Sequence, residues 1–146
     1  MTVTTRTINT TPEKVWEVLA DGWLYPLFVV GASRMRDVDE SWPAVGSRLH
    51  HSVGTWPLLI DDTTEVLEVE EGHRLLLLAR AWPAGQAHVD ISLQANGGGA
   101  TVVTITEDAT AGPAVLVPKP LRDVQLQLRN TETLRRLAFL VEGRTR

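Results

Sequence analysis

Between Ser33 and Asp108, turn signals recur at short intervals: Trp42-Pro43-Ala44-Val45-Gly46, Gly54-Thr55-Trp56-Pro57, Glu71-Gly72, Pro83-Ala84-Gly85 and Asn96-Gly97-Gly98-Gly99. They cut this stretch into six segments of strand length, and loops so short join strands most simply as hairpins. An antiparallel sheet is predicted. The alternation is clearest from Gln86 to Ala95, where Ala87, Val89, Ile91 and Leu93 interleave with Gln86, His88, Asp90, Ser92 and Gln94. One face of that strand is buried and the other wet.

The flanking segments complete the pattern. Residues 2–9, rich in Thr and β-branched side chains, suit one more strand. Thr11-Pro12-Glu13 supplies an N-cap, a proline at the first helical position and an acidic first turn, and Val15, Val18 and Leu19 follow at helical spacing. This short helix is expected to end near Asp21-Gly22, with the glycine in a left-handed cap. Trp23-Leu24-Tyr25-Pro26-Leu27-Phe28 reads as one further helical turn packed on its neighbour. After a loop containing Gly112, Pro113, Pro118 and Pro120, residues 121–142 hold no Gly or Pro and predict a helix of about six turns. At about 100° per residue, Gln125, Arg129, Glu132 and Arg136 share one side, opposite Leu126, Leu134, Leu137, Ala138 and Val141.

The predicted class is α+β: a seven-stranded antiparallel sheet curved around a long C-terminal helix, with two short helices after the first strand. One domain, 1–146, accounts for all 146 residues, a length that buries roughly 70% of its unfolded surface without staples. Where small residues line the gap between sheet and helix, a ligand has room.

Composition removes several classes of function. There is no cysteine, which excludes disulfides, thiolate metal sites and a cysteine nucleophile. Lys and Arg number 14 against 18 Asp and Glu, a formal charge of -4 spread through the chain, so nucleic acid is not an expected partner. The start shows no basic head followed by an apolar stretch, and no window approaches the ~18 apolar residues of a spanning helix. A cytoplasmic monomer or homodimer without a membrane span is expected. A Gly-x-Ser-x-Gly elbow, a phosphate-cradling glycine loop and a dinucleotide glycine pattern are all missing; Gly97-Gly98-Gly99 precedes a strand, not a helix. No cofactor is expected.

A few polar residues fall where apolar ones belong. Asp123, Gln127 and Asn130 project within about 60° of the long helix's apolar centre, and a ligand-accepting cavity would supply the partners they need. Asp123 equally complements a helix N-terminus. Glu107 shares a face with Val103 and Ile105, but the Asn96–Gly99 loop leaves the register open: it is either an inward candidate general acid or base or a solvated strand end, and Arg80 either neutralises it across the sheet or sits outside. His50 and His51 are strand neighbours and diverge, and only His73 and His88 remain, so no metal site is expected. His51, in phase with Leu49 and Val53, is the one expected to face inward. Asp61 and Asp62 diverge in the same way. Five tryptophans stand against one Tyr and two Phe. Trp23, Trp56 and Trp82 lie near element ends, where an amphipathic ring can line a cavity mouth, while Trp16 and Trp42 are assigned to packing.

Four stretches resemble a known group: Thr11-Pro12-Glu13-Lys14-Val15-Trp16, Val45-Gly46-Ser47-Arg48-Leu49, the Gly-rich turn before Thr101-Val102-Val103-Thr104-Ile105-Thr106-Glu107, and the closing Arg129-Asn130-X-Glu132-X-Leu134-X-X-Leu137. Together they resemble the START-like, or SRPBCC, superfamily, nearest its bacterial polyketide cyclase/dehydrase-like branch, over nearly the whole chain. The resemblance implies a helix-grip fold with a deep cavity for an apolar or amphipathic small molecule. It carries no catalytic signature onto numbered residues here, and fold is not function. The expected function is binding of a hydrophobic or aromatic small molecule. The alternatives are an aromatase/cyclase-type enzyme, in which Glu107, His51 or Asn130 assists proton transfer, and an interaction module of co-chaperone type working through its outer surface.

Overall fold

A computed structural model of the chain describes residues 1–53, 59–83 and 85–144. Strand β1 (Thr2–Ile8) is followed by helix α1 (Pro12–Leu19), a 3-10 turn (Gly22–Leu24) and the single-turn helix α2 (Tyr25–Phe28). Strands β2 (Ala32–Val38), β3 (Arg48–Val53), β4 (Ile60–Glu70), β5 (Arg74–Ala81), β6 (Gly85–Asn96) and β7 (Ala100–Ala111) come next. A second 3-10 turn (Pro113–Leu116) leads into helix α3 (Lys119–Arg144). All seven strands form one sheet in the order β1-β7-β6-β5-β4-β3-β2, and every pairing is antiparallel. This is the α+β helix-grip arrangement expected from the sequence.

Two local details differ from expectation. Helix α3 starts at Lys119 and runs through Gly143 to Arg144, beyond the 121–142 window drawn from the absence of Gly and Pro. Proline is tolerated in a first helical turn, where its missing N–H has no intrahelical partner to lose. Gly22 does not supply a left-handed cap, because Ala20 caps α1 in the right-handed region and Gly22 opens the 3-10 turn instead. Its smallness is needed for another reason: an added Cβ would lie 2.5 Å from Leu49 Cδ2 and 2.8 Å from Val38 Cγ1.

The core sits between the sheet's inner face and the C-terminal half of α3. Leu75 and Leu77 of β5, Ile91 and Leu93 of β6, and Val103 and Ile105 of β7 belong to one buried cluster with Leu134, Leu137, Ala138 and Val141. Val15, Val18 and Leu19 of α1 and Tyr25 and Phe28 of α2 complete it. At the end of α1, where helical carbonyls lack intrahelical donors, the Leu19 carbonyl accepts from Tyr25 Oη at 2.8 Å and from Trp42 Nε1 at 3.2 Å. The Tyr25 ring meets Trp42 edge-on, with centroids 5.5 Å apart, so one carbonyl fixes two aromatic rings. Trp16 and Trp42 are both buried.

The inner positions of the central strands change size along their length. On β5 they run Leu75, Leu77, Ala79, Ala81; on β6, Leu93, Ile91, Val89, Ala87, Gly85; on β7, Val103, Ile105, Glu107, Ala109. Register aligns the small ends, since Ala79 pairs with Ala87, Ala87 with Ala109, and Ala81 with Gly85. Large side chains fill the space under α3 at one end of the sheet, and methyl groups cannot fill it at the other.

Gly22→Ala places a methyl group against Leu49 and Val38 and is expected to destabilise the fold by about 1–3 kcal/mol, read as a lower urea midpoint at unchanged slope. An unchanged midpoint would show that α1 and the Gly22 turn shift freely relative to the sheet.

Candidate functional site

The space left by the small inner residues is a cavity of about 430 Å³, within the range of small-molecule sites. Its floor is Ala79, Ala81, Gly85, Ala87 and Ala109, backed by Leu77, Val89, Ile91 and Ile105. Tyr25 and Phe28 of α2 with Met35 of β2 form one wall, and Leu126, Asn130, Thr133 and Leu137 of α3 form the roof. Thr133 Oγ1 also accepts from Val30 N at 3.2 Å, tying the segment after α2 to the roof.

Glu107 enters this apolar space because of the preceding hairpin. Asn96 pairs with Ala100 across a three-residue turn, Gly97–Gly99, in which Gly97 and Gly99 take φ of 46° and 79°, values that glycine adopts without steric cost. That register sends Val103, Ile105 and Glu107 inward. The Glu107 carboxylate is buried and accepts from Arg129 Nη2 and from Asn130 Nδ2, the latter at 3.3 Å. A buried carboxylate left alone would be costly, and here a guanidinium and an amide meet it.

His51 lies on β3, across the cavity, and is 6% exposed. Its Nε2 is 2.8 Å from Thr64 Oγ1. Burial pushes its pKa below the usual histidine value; the Asp62 carboxylate opposes that shift, Arg36 reinforces it, and the Thr63 main chain opposes it more weakly. The ring is therefore neutral at neutral pH. Its neighbour His50 turns the other way, with Nε2 2.9 Å from Asp39 Oδ1. Among the described residues no group of three His, Cys, Asp or Glu side chains could hold a metal ion.

The residues singled out from the sequence fall on both sides of the cavity boundary. Glu107, His51, Asn130 and Arg80 all line it. Arg80 does so from the rim and lies toward Asp62, with Nε 3.8 Å from Oδ1; the partner of Glu107 is Arg129 instead. Trp23 and Trp82 are corrections: they are 54% and 38% exposed and absent from the cavity wall. Trp23 lies within the 3-10 turn that precedes α2, and Trp82 follows the last residue of β5, so neither belongs to a helix or strand that forms the wall. Trp56 lies outside the described residues. Gln127 is exposed, and Asp123 accepts from Thr2 Oγ1 at 2.9 Å instead of facing the cavity.

The sequence pattern gives α3 one apolar centre along its length, whereas the helix crosses a twisted, curved sheet and turns its inward arc as it goes. The C-terminal half buries Leu134, Ala138 and Val141, whereas the N-terminal half presents Arg122, Gln125, Leu126, Arg129 and Asn130 to the cavity. Arg129, assigned from the sequence to the wet side, is therefore a cavity residue.

Seven antiparallel strands gripping a terminal helix, with a hollow between them, define a START-like protein. Within that superfamily the chain belongs to the polyketide cyclase/dehydrase and lipid transport family, whose sequence profile matches residues 2–142. No curated protein matches the sequence. Among solved structures, protein NE0264 of Nitrosomonas europaea is similar at a TM-score of 0.74 and 19% identity, covering 98% of this chain and 94% of that one. The Zhui aromatase/cyclase of Streptomyces sp. R1128 is similar at 0.70 and 16% identity, covering 99% and 94%. The di-domain ARO/CYC StfQ of the steffimycin biosynthetic pathway is similar at 0.73 and 12% identity; this chain covers 50% of it. At these identities the likeness is one of fold. No helix among the described residues is long and apolar enough to cross a membrane.

Arg129→Met leaves the buried Glu107 carboxylate with Asn130 as its one remaining donor and is expected to cost about 2 kcal/mol, less than a fully buried pair because the guanidinium side chain is 40% exposed. Adding Glu107→Leu should restore most of that loss in urea melts; a doubly substituted protein no more stable than Arg129→Met would contradict the pairing.

Since burial lowers the folded-state pKa of His51, the unfolded chain binds the proton first as pH falls. Its contribution to stability is complete above about pH 6.5 and is lost below it, toward the folded-state pKa. The melting temperature should fall from about pH 7 to pH 5, and His51→Gln should flatten that slope. An equally steep slope in the variant would refute it.

Proposed function

We propose that this protein binds an apolar or aromatic small molecule in the cavity between its sheet and α3. The observation that carries this reading is the coincidence of small inner side chains on three adjacent strands, which leaves about 430 Å³ where neighbouring rows are packed solid. Burying apolar guest surface yields roughly 25 cal/mol per Å², so an aromatic body is well suited to that lining. Glu107, Arg129 and Asn130 give the guest a polar end to meet, and the pre-formed pairs among them mean that little side-chain ordering accompanies binding.

A second reading, catalysis of aromatase/cyclase type, is favoured by His51, a neutral imidazole facing the cavity. Glu107 is the weaker proton acceptor for such a reaction, since Arg129 and Asn130 already occupy its carboxylate. Family membership and the Zhui and StfQ likenesses support a cavity function in general and do not choose between carriage and catalysis.

A fluorescent apolar dye such as anilinonaphthalene sulfonate tests the reading. The native protein should bind it at one site, and filling the floor with Ala87→Leu and Ala109→Leu together should weaken binding by at least about tenfold, the effect of losing ~1.4 kcal/mol of guest contact, while the fold survives by circular dichroism. Undiminished binding by the filled variant would refute the cavity as the site. Asn130→Leu and Glu107→Gln then separate the two readings: a carrier changes its affinity, whereas an enzyme keeps binding and loses turnover.

A further inference from the structure

Among the described residues, three cations line the cavity, Arg80, Arg122 and Arg129, against one carboxylate, Glu107. The chain as a whole carries a formal charge of -4, so the charged lining of its cavity has the opposite sign. Two of the three arginines are matched by acids. Arg129 Nη2 donates to Glu107, and Arg80 lies toward Asp62, with Nε 3.8 Å from Oδ1. Arg122 is different. Its hydrogen bond is to a neutral group, Nη1 donating to the Val115 carbonyl at 3.3 Å, and among the described residues no carboxylate lies within ion-pair distance of it.

From this imbalance we infer that the guest is an amphipathic carboxylate, its anion held at the cavity mouth by Arg122 and its apolar body lying on the alanine floor. The inference rests on the cavity reading and adds to it the charge of the ligand. The position of the anion follows from the helix. Arg122, Leu126, Arg129 and Thr133 recur at intervals of three and four residues and all line the cavity, so they share one face of α3. Arg122 comes first among them, and its guanidinium reaches the 3-10 turn Pro113–Leu116, beside Val117 of the cavity wall. It therefore sits at the rim where α3 meets that turn, and its bond to Val115 is exposed to solvent.

The chemistry of the group selects a carboxylate. Val115 uses one of the guanidinium's five N–H groups, which leaves a planar fork for two carboxylate oxygens. The same bond fixes the guanidinium, so less ordering accompanies binding. Gln125, one turn further along and also lining the cavity, adds an amide donor. A guest anion seated deeper would confront Glu107. Arg122 precedes Arg129 by two helical turns, about 10 Å of axial rise, which keeps the guest's carboxylate away from the protein's own. A cationic guest would meet three guanidinium groups across low-dielectric walls that strengthen the repulsion.

Calorimetric titration with a naphthoate and with the matching neutral naphthalenemethanol, at neutral pH and low salt, tests this on the whole chain. The wild type should bind the naphthoate about fivefold tighter, the effect of one part-exposed ion pair, and added salt should narrow the gap. Arg122→Gln should abolish the preference and leave affinity for the alcohol unchanged, while Arg122→Lys should keep part of it. Lys119→Gln removes a cation from the same helix outside the cavity wall and should keep nearly all of it. In the unsubstituted protein the Arg122 Nε resonance should move on adding the naphthoate and stay in place on adding the alcohol, a readout independent of how well any variant folds. Equal affinity of the wild type for the two probes, an equal effect of Arg122→Gln on both, a loss in Lys119→Gln as large as in Arg122→Gln, or a stationary Nε resonance would overturn the role of Arg122 and leave the cavity reading intact. Failure of both probes to bind the wild type would overturn both.

Discussion

Three neighbouring strands run from large inner side chains to small ones, and their register puts the small ends side by side. At the large end, leucine, isoleucine and valine meet the C-terminal half of α3 and bury enough apolar surface to hold the helix on the sheet. At the small end the sheet presents methyl groups and a glycine, and the helix cannot descend to meet them because its other half is already seated. Interiors elsewhere are packed to crystal-like density, so a gap of this size in register on three strands comes from where the small residues stand along the strands. The hollow is a consequence of the same contacts that stabilise the fold.

The polar groups follow from that hollow. A carboxylate at position 107 would be intolerable in the solid part of the core; next to open space and beneath α3 it can be met by the adjacent residues Arg129 and Asn130. His51 occupies the far wall under similar conditions, with its outward neighbour His50 engaged by Asp39. The strand alternation that separates the two histidines is the reason a metal site cannot form from the pair. What remains is an apolar trough with hydrogen-bonding groups at its two sides, suited to orienting a guest.

Much of the architecture was legible in the sequence because hairpin punctuation and strand alternation are local signals. The six-strand reading of residues 33–108, the short helices and the long terminal helix needed only neighbours in the chain. Parity with Leu49 points His51 inward, whereas the facing of Glu107 depends on the length of the Gly97–Gly99 turn, which only the pairing of Asn96 with Ala100 fixes. Placements that depend on distant elements are not legible from local signals. The direction of Arg129 and Gln127 depends on how α3 crosses the sheet, and no helical wheel contains that angle. Trp23 and Trp82 are large and apolar, yet one lies in the 3-10 turn before α2 and the other just past the end of β5, and both are exposed. A usable signal for the cavity was present in the alternate residues of β5, β6 and β7, where Leu, Leu, Ala, Ala and Leu, Ile, Val, Ala, Gly descend in size; reading it requires knowing which ends the register brings together.

The most direct test is a crystal structure determined under xenon pressure, since xenon occupies apolar cavities without needing any particular chemistry from them. Xenon density is predicted in the gap bounded by Ala79, Ala87 and Ala109 below and Leu126 above. A gap closed by inward movement of Phe28, Met35 and Leu126, with no xenon bound, would contradict the claim that strand composition holds this space open.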